Sequence, residues 1–183
     1  MDTIQKLLSF EETPLKKSLH VKCYNRRMKI TITPYTDENA TEVTDLHHAS
    51  IHAIDPTIYS REQQEAWAHT PPNYLYWAKR LALKKPFLAM VEGHIAGFIE
   101  LEADGHIDCA YTHPFFQQCG VMAKLYDHIE SLAHQNTMPR LYVEASKLIK
   151  PFFEKRGFTT LQRNEIKRNG QILVNYSMEK TLN

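Results

Sequence analysis

The sequence predicts one α/β (α+β) domain, in which a mixed, mostly antiparallel sheet is flanked by helices. Two observations predict this class. The chain has 183 residues, of which 43% are hydrophobic and 23% charged, so it is long and apolar enough to bury one full core. Its apolar periodicities and turn signals follow the order strand, helices, three strands, helix, strand, helix and hairpin, which is typical of a sheet covered by helices.

The first part of the chain divides into an extension and the start of the domain. Residues 1–27 are predicted to form an N-terminal extension, a short helix plus a tether, and residues 28–183 the single domain. In the domain, Ile30 and Ile32 alternate with polar residues, which predicts a strand. Three helical segments follow, signalled by the apolar face of residues 43–53, by a capping box at Ser60 and Gln63, and by the Pro71-Pro72 pair that opens a helix through about Leu83.

The remainder of the domain contains most of its strands. Three adjacent antiparallel strands are predicted over residues 87–91, 95–103 and 106–112, with a hairpin turn at Asp104-Gly105. A long helix begins at Gly120, and it is followed by a strand over residues 141–145, a helix that ends at Gly157, and a hairpin whose strands, residues 158–168 and 171–179, flank Asn169-Gly170.

Charge and hydropathy exclude several classes of protein. The 22 lysines and arginines nearly balance the 21 aspartates and glutamates, so no global field would attract nucleic acid or an anionic membrane. No apolar run reaches the roughly 18 residues of a membrane span, and residues 1–27 lack the apolar stretch of a signal peptide. We therefore expect a cytoplasmic protein without nucleic-acid or membrane partners. The three cysteines lack CxxC spacing, so no cysteine zinc cluster is suggested.

The segment from His113 to Ala123 carries the most chemical information. A strand ends there, a tight connection follows, and a helix begins at Gly120. The unpaired N–H groups and the positive end of such a helix converge on one spot, which is a common binding site for phosphate. With one glycine, the segment is neither a P-loop nor a GxGxxG dinucleotide fingerprint.

This segment resembles the acetyl-CoA motif of the GNAT family of N-acetyltransferases. The family pattern is glutamine or arginine, two residues, glycine, one residue, then glycine or alanine. Gln117 and Gly120 match this pattern, and Met122 departs from it. The main chain can still bind the pyrophosphate with methionine at this position if the Met122 side chain points into the core. The resemblance covers residues 29–180, and the segment from Ile107 to Pro114 is similar to the family's fourth strand.

A second segment supports the first. Residues 143–146, Val-Glu-Ala-Ser, and residues 151–158, Pro-Phe-Phe-Glu-Lys-Arg-Gly-Phe, are similar to the family's fifth strand and fourth helix. Ser146 stands where the family often has asparagine, and Phe153 stands where it has tyrosine. Together with the segment from Ile54 to Trp67, these residues are similar to the YafP-like branch of the bacterial members.

The resemblance implies a fold, a co-substrate and a reaction. It implies about seven strands that splay between the fourth and the fifth. It also implies an enzyme that transfers the acetyl group of acetyl-CoA, by direct attack and without a metal, to a primary amine of a small molecule or to an exposed protein amine. The residues that it assigns to acetyl-CoA binding are Ala110, Tyr111, Thr112, Gln117, Gln118, Cys119, Gly120, Val121, Met122, Ala123, Ser146, Phe152 and Phe153.

Such a reaction needs a base for the amine. An aliphatic ammonium has a pKa of about 10.4, so most of the amine arrives charged at neutral pH. Family members often place an acidic residue on the fourth strand for this purpose, and Asp108 is the first choice here. Glu100 and Glu102 on the neighbouring strand, and His106, are the alternatives.

The departing thiolate needs a proton in turn. The family's usual acid is the tyrosine whose position holds Phe153, which has no proton to give. A thiolate whose conjugate acid has a pKa of roughly 8 to 9 can leave unaided, so the loss lowers the rate rather than preventing the reaction. Ser146, Tyr142 or solvent would substitute, and Ser146 is also a candidate helix N-cap.

Other sites are weaker candidates. His48 and His52 lie one helical turn apart, but Ala49 stands where an HExxH motif needs glutamate, which disfavours zinc. Cys119 would be activated by the helix N-terminus, but no histidine and aspartate pair is predicted beside it, which disfavours covalent catalysis. Three aromatic residues are expected in core or rim packing, with an acceptor pocket as the alternative: Tyr59, Trp67 and Trp77.

Two further functions compete with catalysis. A non-catalytic module that binds or senses acyl-CoA is favoured by Phe153 and Met122. An adaptor for nucleic acid or protein rests on the basic cluster within residues 22–29. The oligomeric state is left open between monomer and homodimer, and the amine acceptor is not identified by the sequence.

Overall fold

The computed structural model describes residues 28–182, and the predicted extension over residues 1–27 lies outside the described residues. The strands are β1 (Ile30–Pro34), β2 (Phe87–Val91), β3 (His94–Ile99), β4 (His106–Ile107), β5 (Ala110–Thr112), β6 (Arg140–Ser146), β7 (Thr159–Arg168) and β8 (Gln171–Thr181). The α-helices are α1 (Ala40–His52), α2 (Arg61–Trp67), α3 (Tyr74–Lys84), α4 (Val121–Gln135) and α5 (Lys150–Lys155), and 3-10 turns precede α1 and α4 at Asp37–Asn39 and Pro114–Phe116.

The strands form two four-stranded sheets, in the orders β1-β2-β3-β5 and β4-β6-β8-β7. All pairs are antiparallel except β4 and β6, which run parallel. The predicted fold class, a mixed and mostly antiparallel sheet flanked by helices, is confirmed. The strand predicted over residues 106–112 is, however, two short strands, because its first part pairs with β6 and its last part with β3.

Two predicted boundaries also differ. The strand predicted over residues 95–103 ends at Ile99, because its partner segment leaves it beyond Cys109, where Ile107 pairs with β6 instead. The helix predicted to open at Pro71-Pro72 begins at Tyr74, because the Asn73 side chain accepts a hydrogen bond from the Tyr76 N–H and so fixes the first turn. The capping box at Ser60 and Gln63 is confirmed at the start of α2.

The main core lies between α4 and the two sheets. Val121, Leu125 and Ile129 on one face of α4 are fully buried, as the apolar spacing predicted. The helix approaches β3 closely at Gly97, where a Cβ atom would lie 2.8 Å from the Tyr111 carbonyl oxygen and 2.8 Å from Val121 Cγ1. Glycine is therefore required at this position by space.

The β7–β8 hairpin is fastened to the segment around α2 by three side chains. The Tyr59 hydroxyl donates to the Val174 carbonyl at 3.0 Å, and the Gln63 amide donates to the Ile172 carbonyl at 2.8 Å. The amide of Asn169, at the tip of the hairpin, donates to the Ala66 carbonyl at 3.2 Å. These contacts hold the hairpin across one end of the functional site described below.

Within residues 28–182, every helix is too short or too polar to span a lipid bilayer.

Candidate functional site

The site lies where the two sheets separate. Ile107 on β4 is aligned with Val143 on β6, and the chain then crosses through Asp108 and Cys109 to pair with β3 from Ala110 onward. The separation lies between the strands similar to the family's fourth and fifth, as the resemblance implied. A cleft opens immediately beyond Val143.

Both walls of this cleft present unpaired backbone edges. The Cys109 carbonyl accepts from the Glu100 N–H just after β3, and the His113 N–H donates to the Ala96 carbonyl on β3. The N–H and C=O groups of Ala110 and Thr112 therefore point to the opposite side, toward the cleft. On β6 the Tyr142 N–H bonds to the Gly105 carbonyl, and the parallel alignment of Ile107 with Val143 pairs the Glu144 N–H with the Ile107 carbonyl. The Glu144 carbonyl and the backbone groups of Ser146 therefore face the cleft beyond the end of β4. Extended amide-containing ligands can pair with such edges.

The cleft between β5 and β6, here called the strand cleft, has a volume of about 650 Å³. This is within the range of small-molecule and cofactor sites. Of the thirteen residues that the family resemblance assigns to acetyl-CoA binding, twelve line it and Cys119 does not. The twelve are Ala110, Tyr111, Thr112, Gln117, Gln118, Gly120, Val121, Met122, Ala123, Ser146, Phe152 and Phe153.

One end of the strand cleft is the N-terminus of α4. Gly120 has φ of +83°, and Gln118 has φ of +61°, so the connection before α4 is tightly turned. The first intrahelical bond runs from the Lys124 N–H to the Gly120 carbonyl, which leaves the N–H groups of the preceding turn without helical partners. A Cβ atom on Gly120 would meet nothing within 4 Å, so the backbone there faces open space. This arrangement suits a phosphate group.

The two departures from the family pattern have defined positions. Met122 lines the strand cleft but also packs against the main core, so its side chain does not fill the space over Gly120. Phe153 is fully buried, and its ring packs edge-on against Phe152 and Phe158, with centroids at 5.4 and 5.0 Å. Its ring lines the cleft and offers no proton donor.

A second space of about 550 Å³, here called the aromatic cavity, lies beside the strand cleft. Helices α1 and α3, the segment around α2, and the β7–β8 hairpin enclose it. Tyr59, Trp67 and Trp77, expected in core or rim packing, all line this cavity, so the alternative prediction for them fits their positions. Its other aromatic and imidazole residues are Tyr76, Tyr111, His47, His48 and His69.

The strand cleft and the aromatic cavity meet. Five residues line both spaces: Trp67, Asp108, Tyr111, Glu144 and Ser146. A group bound in one space can therefore contact a group bound in the other at this junction. Two of the five carry carboxylates, and two carry hydroxyl groups.

Asp108 lies at the junction, but two cations hold its carboxylate. The Arg80 Nη2 atom donates to Asp108 Oδ2 at 2.8 Å, and the Lys84 Nζ atom lies 3.0 Å from the same oxygen. Burial would raise the pKa of Asp108, but the Lys84 and Arg80 contacts outweigh it, so the pKa lies below its usual value. A carboxyl group in this state is a weak proton acceptor.

The cations come from α3, whose Arg80 and Lys84 are one helical turn apart. Arg80 makes two hydrogen bonds to the fully buried carboxylate of Glu100, one of them at 2.7 Å, and also reaches Cys109 Sγ at 3.3 Å. Glu100, Asp108 and Cys109 cluster within 4.8 Å of one another, and the guanidinium occupies the space that a metal ion would need. The buried carboxylate of Glu100 is therefore a structural partner of Arg80.

Glu144 was not among the candidates from the sequence. Its Oε2 atom lies 2.7 Å from His106 Nε2, and the other ring nitrogen of His106 lies 3.5 Å from Glu102 Oε2. The signal was present, because the alternation of buried Leu141, Val143 and Ala145 puts Glu144 on the same face of β6 as Ser146. Of the predicted alternatives for the base, Glu100, Glu102 and His106 line neither space.

The groups around Asp108 form one connected network. Contacts link its members in the order Glu144, His106, Glu102, Lys84, Asp108, Arg80 and Glu100. Four carboxylates thus share two permanent cations and one imidazole. With the carboxylates ionised and His106 neutral, the network carries two negative charges in excess, which favours a cationic ligand at the junction.

His47 contributes a neutral imidazole to the wall of the aromatic cavity. Its ring lies between Trp77, at a centroid distance of 4.2 Å, and Tyr111, at 4.7 Å. Burial, and then the positive charges of Arg80 and Arg168, lower the pKa of His47 to about 3. At neutral pH it therefore acts as a hydrogen-bonding group without charge.

The hydroxyl candidates occupy different places. Ser146 is at the end of β6 and lines both spaces, and the N-cap of α5 is Ile149, so the alternative role of Ser146 as N-cap is wrong. The Tyr142 hydroxyl donates to Asp104 at 2.5 Å and is outside both spaces. Tyr111 at the junction has a pKa raised above its usual value by burial, so it keeps its proton at neutral pH.

The histidine pair considered for zinc makes other contacts. The rings of His48 and His52 stack at 4.1 Å, and their Nε2 atoms bond to Thr70 Oγ1 at 3.0 Å and to the Ala68 carbonyl at 2.7 Å. These bonds fasten α1 to the chain that follows α2.

Comparisons with known proteins agree with this geometry. A family model described as an acetyltransferase (GNAT) domain matches residues 56–180, which is more than half of the chain. The protein named uncharacterized N-acetyltransferase YafP, from Escherichia coli (strain K12), is 29% identical over 120 residues, which are 66% of this chain and 75% of that protein.

Solved structures share the fold. A GCN5-related N-acetyltransferase from Rhodopseudomonas palustris has a TM-score of 0.79 at 36% identity, and the match covers 85% of this chain and 98% of that one. PaiA N-acetyltransferase from Thermoplasma acidophilum, solved in complex with coenzyme A, has a TM-score of 0.66 at 17% identity, with 85% and 100% covered. The resemblance seen in the sequence is thus confirmed, and the chain belongs to the GNAT family of acetyltransferases.

Proposed function

We propose that the protein transfers the acetyl group of acetyl-CoA to a primary amine held in the aromatic cavity. The observation that carries the proposal is the junction, where the strand cleft and the aromatic cavity share five lining residues. A thioester in the cleft and an amine in the cavity would meet there. Enforced proximity of this kind is a large part of catalysis in two-substrate reactions.

The strand cleft has complementary groups for each part of acetyl-CoA. The N–H groups around Gly120 at the start of α4 would bind the pyrophosphate. The open backbone groups of Ala110 and Thr112 on β5, and the Glu144 carbonyl and the backbone groups of Ser146 on β6, would pair with the amides of the pantetheine arm. PaiA, which has the same fold, was solved with coenzyme A, which supports this use of the cleft.

The contacts at the junction favour Glu144 as the proton acceptor for the amine. The sequence proposed Asp108, and that role stays a prediction, but two cations lower its pKa. Glu144 has an imidazole partner, His106, at 2.7 Å. An imidazole can hold a proton near neutral pH, so a proton taken by Glu144 can pass to His106. In this scheme Asp108 and its network attract the substrate ammonium.

The chemical step is then a direct acyl transfer. The amine nitrogen attacks the thioester carbonyl carbon, and the oxyanion that forms is stabilised by free N–H groups on the separated strand edges. The amine's proton goes to the Glu144 and His106 pair. The carbon–sulfur bond breaks with its electron pair on sulfur, and the thiolate receives a proton from solvent or from Ser146 or Tyr111, the hydroxyl residues at the junction.

A non-catalytic acyl-CoA sensor is the second candidate. It is favoured by Phe153, which stands at the position of the family's usual acid and is fully buried among other aromatic rings. A sensor would bind acetyl-CoA through the same cleft and turn nothing over. The predicted cytoplasmic location, and the choice between monomer and homodimer, stay predictions in either case.

The experiment that separates the two candidates is thiol release. Acetyl-CoA is incubated with the protein and a broad set of small amines, amino acids and peptides, and free CoA is measured with a thiol reagent. An acetyltransferase releases thiol with at least one amine at a rate above that of the protein-free mixture. Binding of acetyl-CoA without release in any mixture would favour the sensor.

A further inference from the structure

The walls of the aromatic cavity restrict what it can admit. The β7–β8 hairpin is tied across it by the bonds of Tyr59, Gln63 and Asn169 to backbone carbonyls. A volume of about 550 Å³ behind such a cover suits a small molecule more than a protein side chain presented on a large surface. The aromatic lining favours a flat apolar body between those walls.

Arg168 gives the cavity a second charged end. It is the last residue of β7 and lines the aromatic cavity but not the strand cleft. Within residues 28–182, no protein oxygen pairs with its guanidinium, whereas each of the other arginines bonds to a carbonyl, an amide or a carboxylate: Arg61, Arg80, Arg140, Arg156 and Arg163. A cation that faces a cavity without a protein counterion is suited to an anionic ligand.

The positive charge of Arg168 acts on side chains that line the aromatic cavity. Arg168, His47 and Tyr111 all line the aromatic cavity, and the positive charge of Arg168 lowers the pKa of His47 and opposes the burial that raises the pKa of Tyr111. The anionic network around Glu144 and Asp108 lies at the junction, which is the other end of the same space. The aromatic cavity is thus polarised, with negative charge at the junction and positive charge at Arg168.

The distance between the two ends can be derived from strand register. Glu144 at the junction is aligned with Ser177 on β8, and Arg168 is aligned with Gln171 on the same strand, six residues further along. Six residues of a strand span about 20 Å, and because β6 and β7 flank β8 on opposite sides, the two Cα atoms are roughly 22 Å apart. The extended side chains of Glu144 and Arg168 together cover about half of this distance, since their bonds are near 1.5 Å. The remaining gap, about 10 Å, fits an ammonium and a carboxylate on opposite sides of one aromatic ring, each within hydrogen-bond distance of its partner.

From this geometry we infer that the acceptor is a small arylalkylamine whose ring also carries a carboxylate or similar anion on the side away from the amine, with the ammonium at Glu144 and the anion at Arg168. The inference rests on the proposed acetyl transfer and names the class of acceptor for it. The ring stacks among Trp67, Trp77 and Tyr111. The polarised cavity discriminates against amines that lack the anion, because Arg168 then has no partner.

The test compares acceptors that differ in one group. With saturating acetyl-CoA, kcat/KM is measured by thiol release for 4-(aminomethyl)benzoate and for its neutral isostere, 4-(aminomethyl)benzamide. One hydrogen-bonded charge pair predicts a preference of about tenfold or more for the benzoate. A ratio near one in the wild-type protein would overturn the inference.

Variants of Arg168 test whether this residue causes the preference for the benzoate over the benzamide. Arg168→Met should reduce the ratio of kcat/KM for the benzoate to kcat/KM for the benzamide to about one. Arg168→Glu should make 1,4-bis(aminomethyl)benzene the better substrate, which a general loss of folding would not do. Arg163→Met is the matched control, since Arg163 lies on the same strand, is paired with Glu165 and lines neither space, so it should keep the wild-type ratio.

The outcomes distinguish an error in the class of acceptor from an error in the proposed acetyl transfer. Equal turnover of the benzoate and the benzamide, or an Arg168→Met variant that keeps the preference, overturns the class of acceptor and leaves acetyl transfer standing. No thiol release from any amine overturns the proposed transfer itself, and the inference with it.

Discussion

The buried imidazole of His47 makes stability depend on pH in a way that can be calculated. With a pKa of about 3 in the folded protein and an unperturbed value near 6.5 in the unfolded chain, His47 binds a proton only on unfolding between these pH values. The unfolded state then binds more protons, so the free energy of unfolding falls as pH falls. At about 1.4 kcal/mol per pH unit below 6.5, acidification from pH 7 to pH 5 removes about 2 kcal/mol.

The assay is urea unfolding followed by circular dichroism at pH 7, 6 and 5. His47→Gln should flatten the dependence on pH by about 2 kcal/mol over this range, whatever its own effect on stability, because only the slope is compared. His94→Gln, which changes an exposed imidazole at the start of β3, is the control and should keep the wild-type slope. A His47→Gln slope equal to the wild-type slope would refute the conclusion that His47 is held neutral by burial.

Four other substitutions test the site and the core. Glu144→Gln should lower kcat roughly a hundredfold or more, while Asp108→Asn should mainly raise KM for the amine; the reverse pattern would return the base to Asp108. Phe153→Tyr should raise kcat severalfold at neutral pH by adding a donor near the sulfur, whereas unchanged kcat with a loss of about 1–3 kcal/mol in unfolding free energy would show that the hydroxyl points into the core. Gly97→Ala should cost about 1–3 kcal/mol in urea unfolding, because its Cβ would lie 2.8 Å from the Tyr111 carbonyl oxygen, and an unchanged midpoint would mean that α4 moves away freely.

Signals that act over a few residues predicted the structure well. Asn169 and Gly170 both have positive φ, +47° and +78°, as a two-residue hairpin turn requires. The capping box of Ser60 and Gln63 forms as predicted, because each side chain satisfies the other's backbone N–H. These features depend on local chemistry alone.

The break in the strand over residues 106–112 could not be predicted in the same way. Ile107 and Ala110 lie three residues apart, yet one belongs to the ladder of β6 and the other to that of β3. Two strands that are far from each other in the sequence, β3 and β6, compete to pair with this segment. The alternation of apolar and polar residues in the segment does not show where the pairing changes from one strand to the other. The resemblance to the family supplied the splay that periodicity could not.

The candidate site likewise contains residues that the sequence could identify and residues that only the fold brings together. The residues along the strand cleft, including Gly120 and Ser146, were accessible through the family motifs. The pairing of Arg80 with Asp108 depends on how α3 packs against α1, and no spacing in the sequence encodes it. Arg168 was missed for a similar reason, since only the docked hairpin brings the end of β7 to the aromatic cavity.

The central claim, that the strand cleft binds acetyl-CoA over the N-terminus of α4, is tested most directly by calorimetric titration of acetyl-CoA into the wild-type protein, Gly120→Glu and Gly93→Glu. The two glycines have φ of +83° and +84° and open space at the Cβ position, so the variants carry matched backbone strain. We predict one saturable site in the wild-type and Gly93→Glu proteins and loss of binding in Gly120→Glu, where a carboxylate would meet the pyrophosphate. No binding to the wild-type protein, or equal affinity in both variants, would contradict the claim.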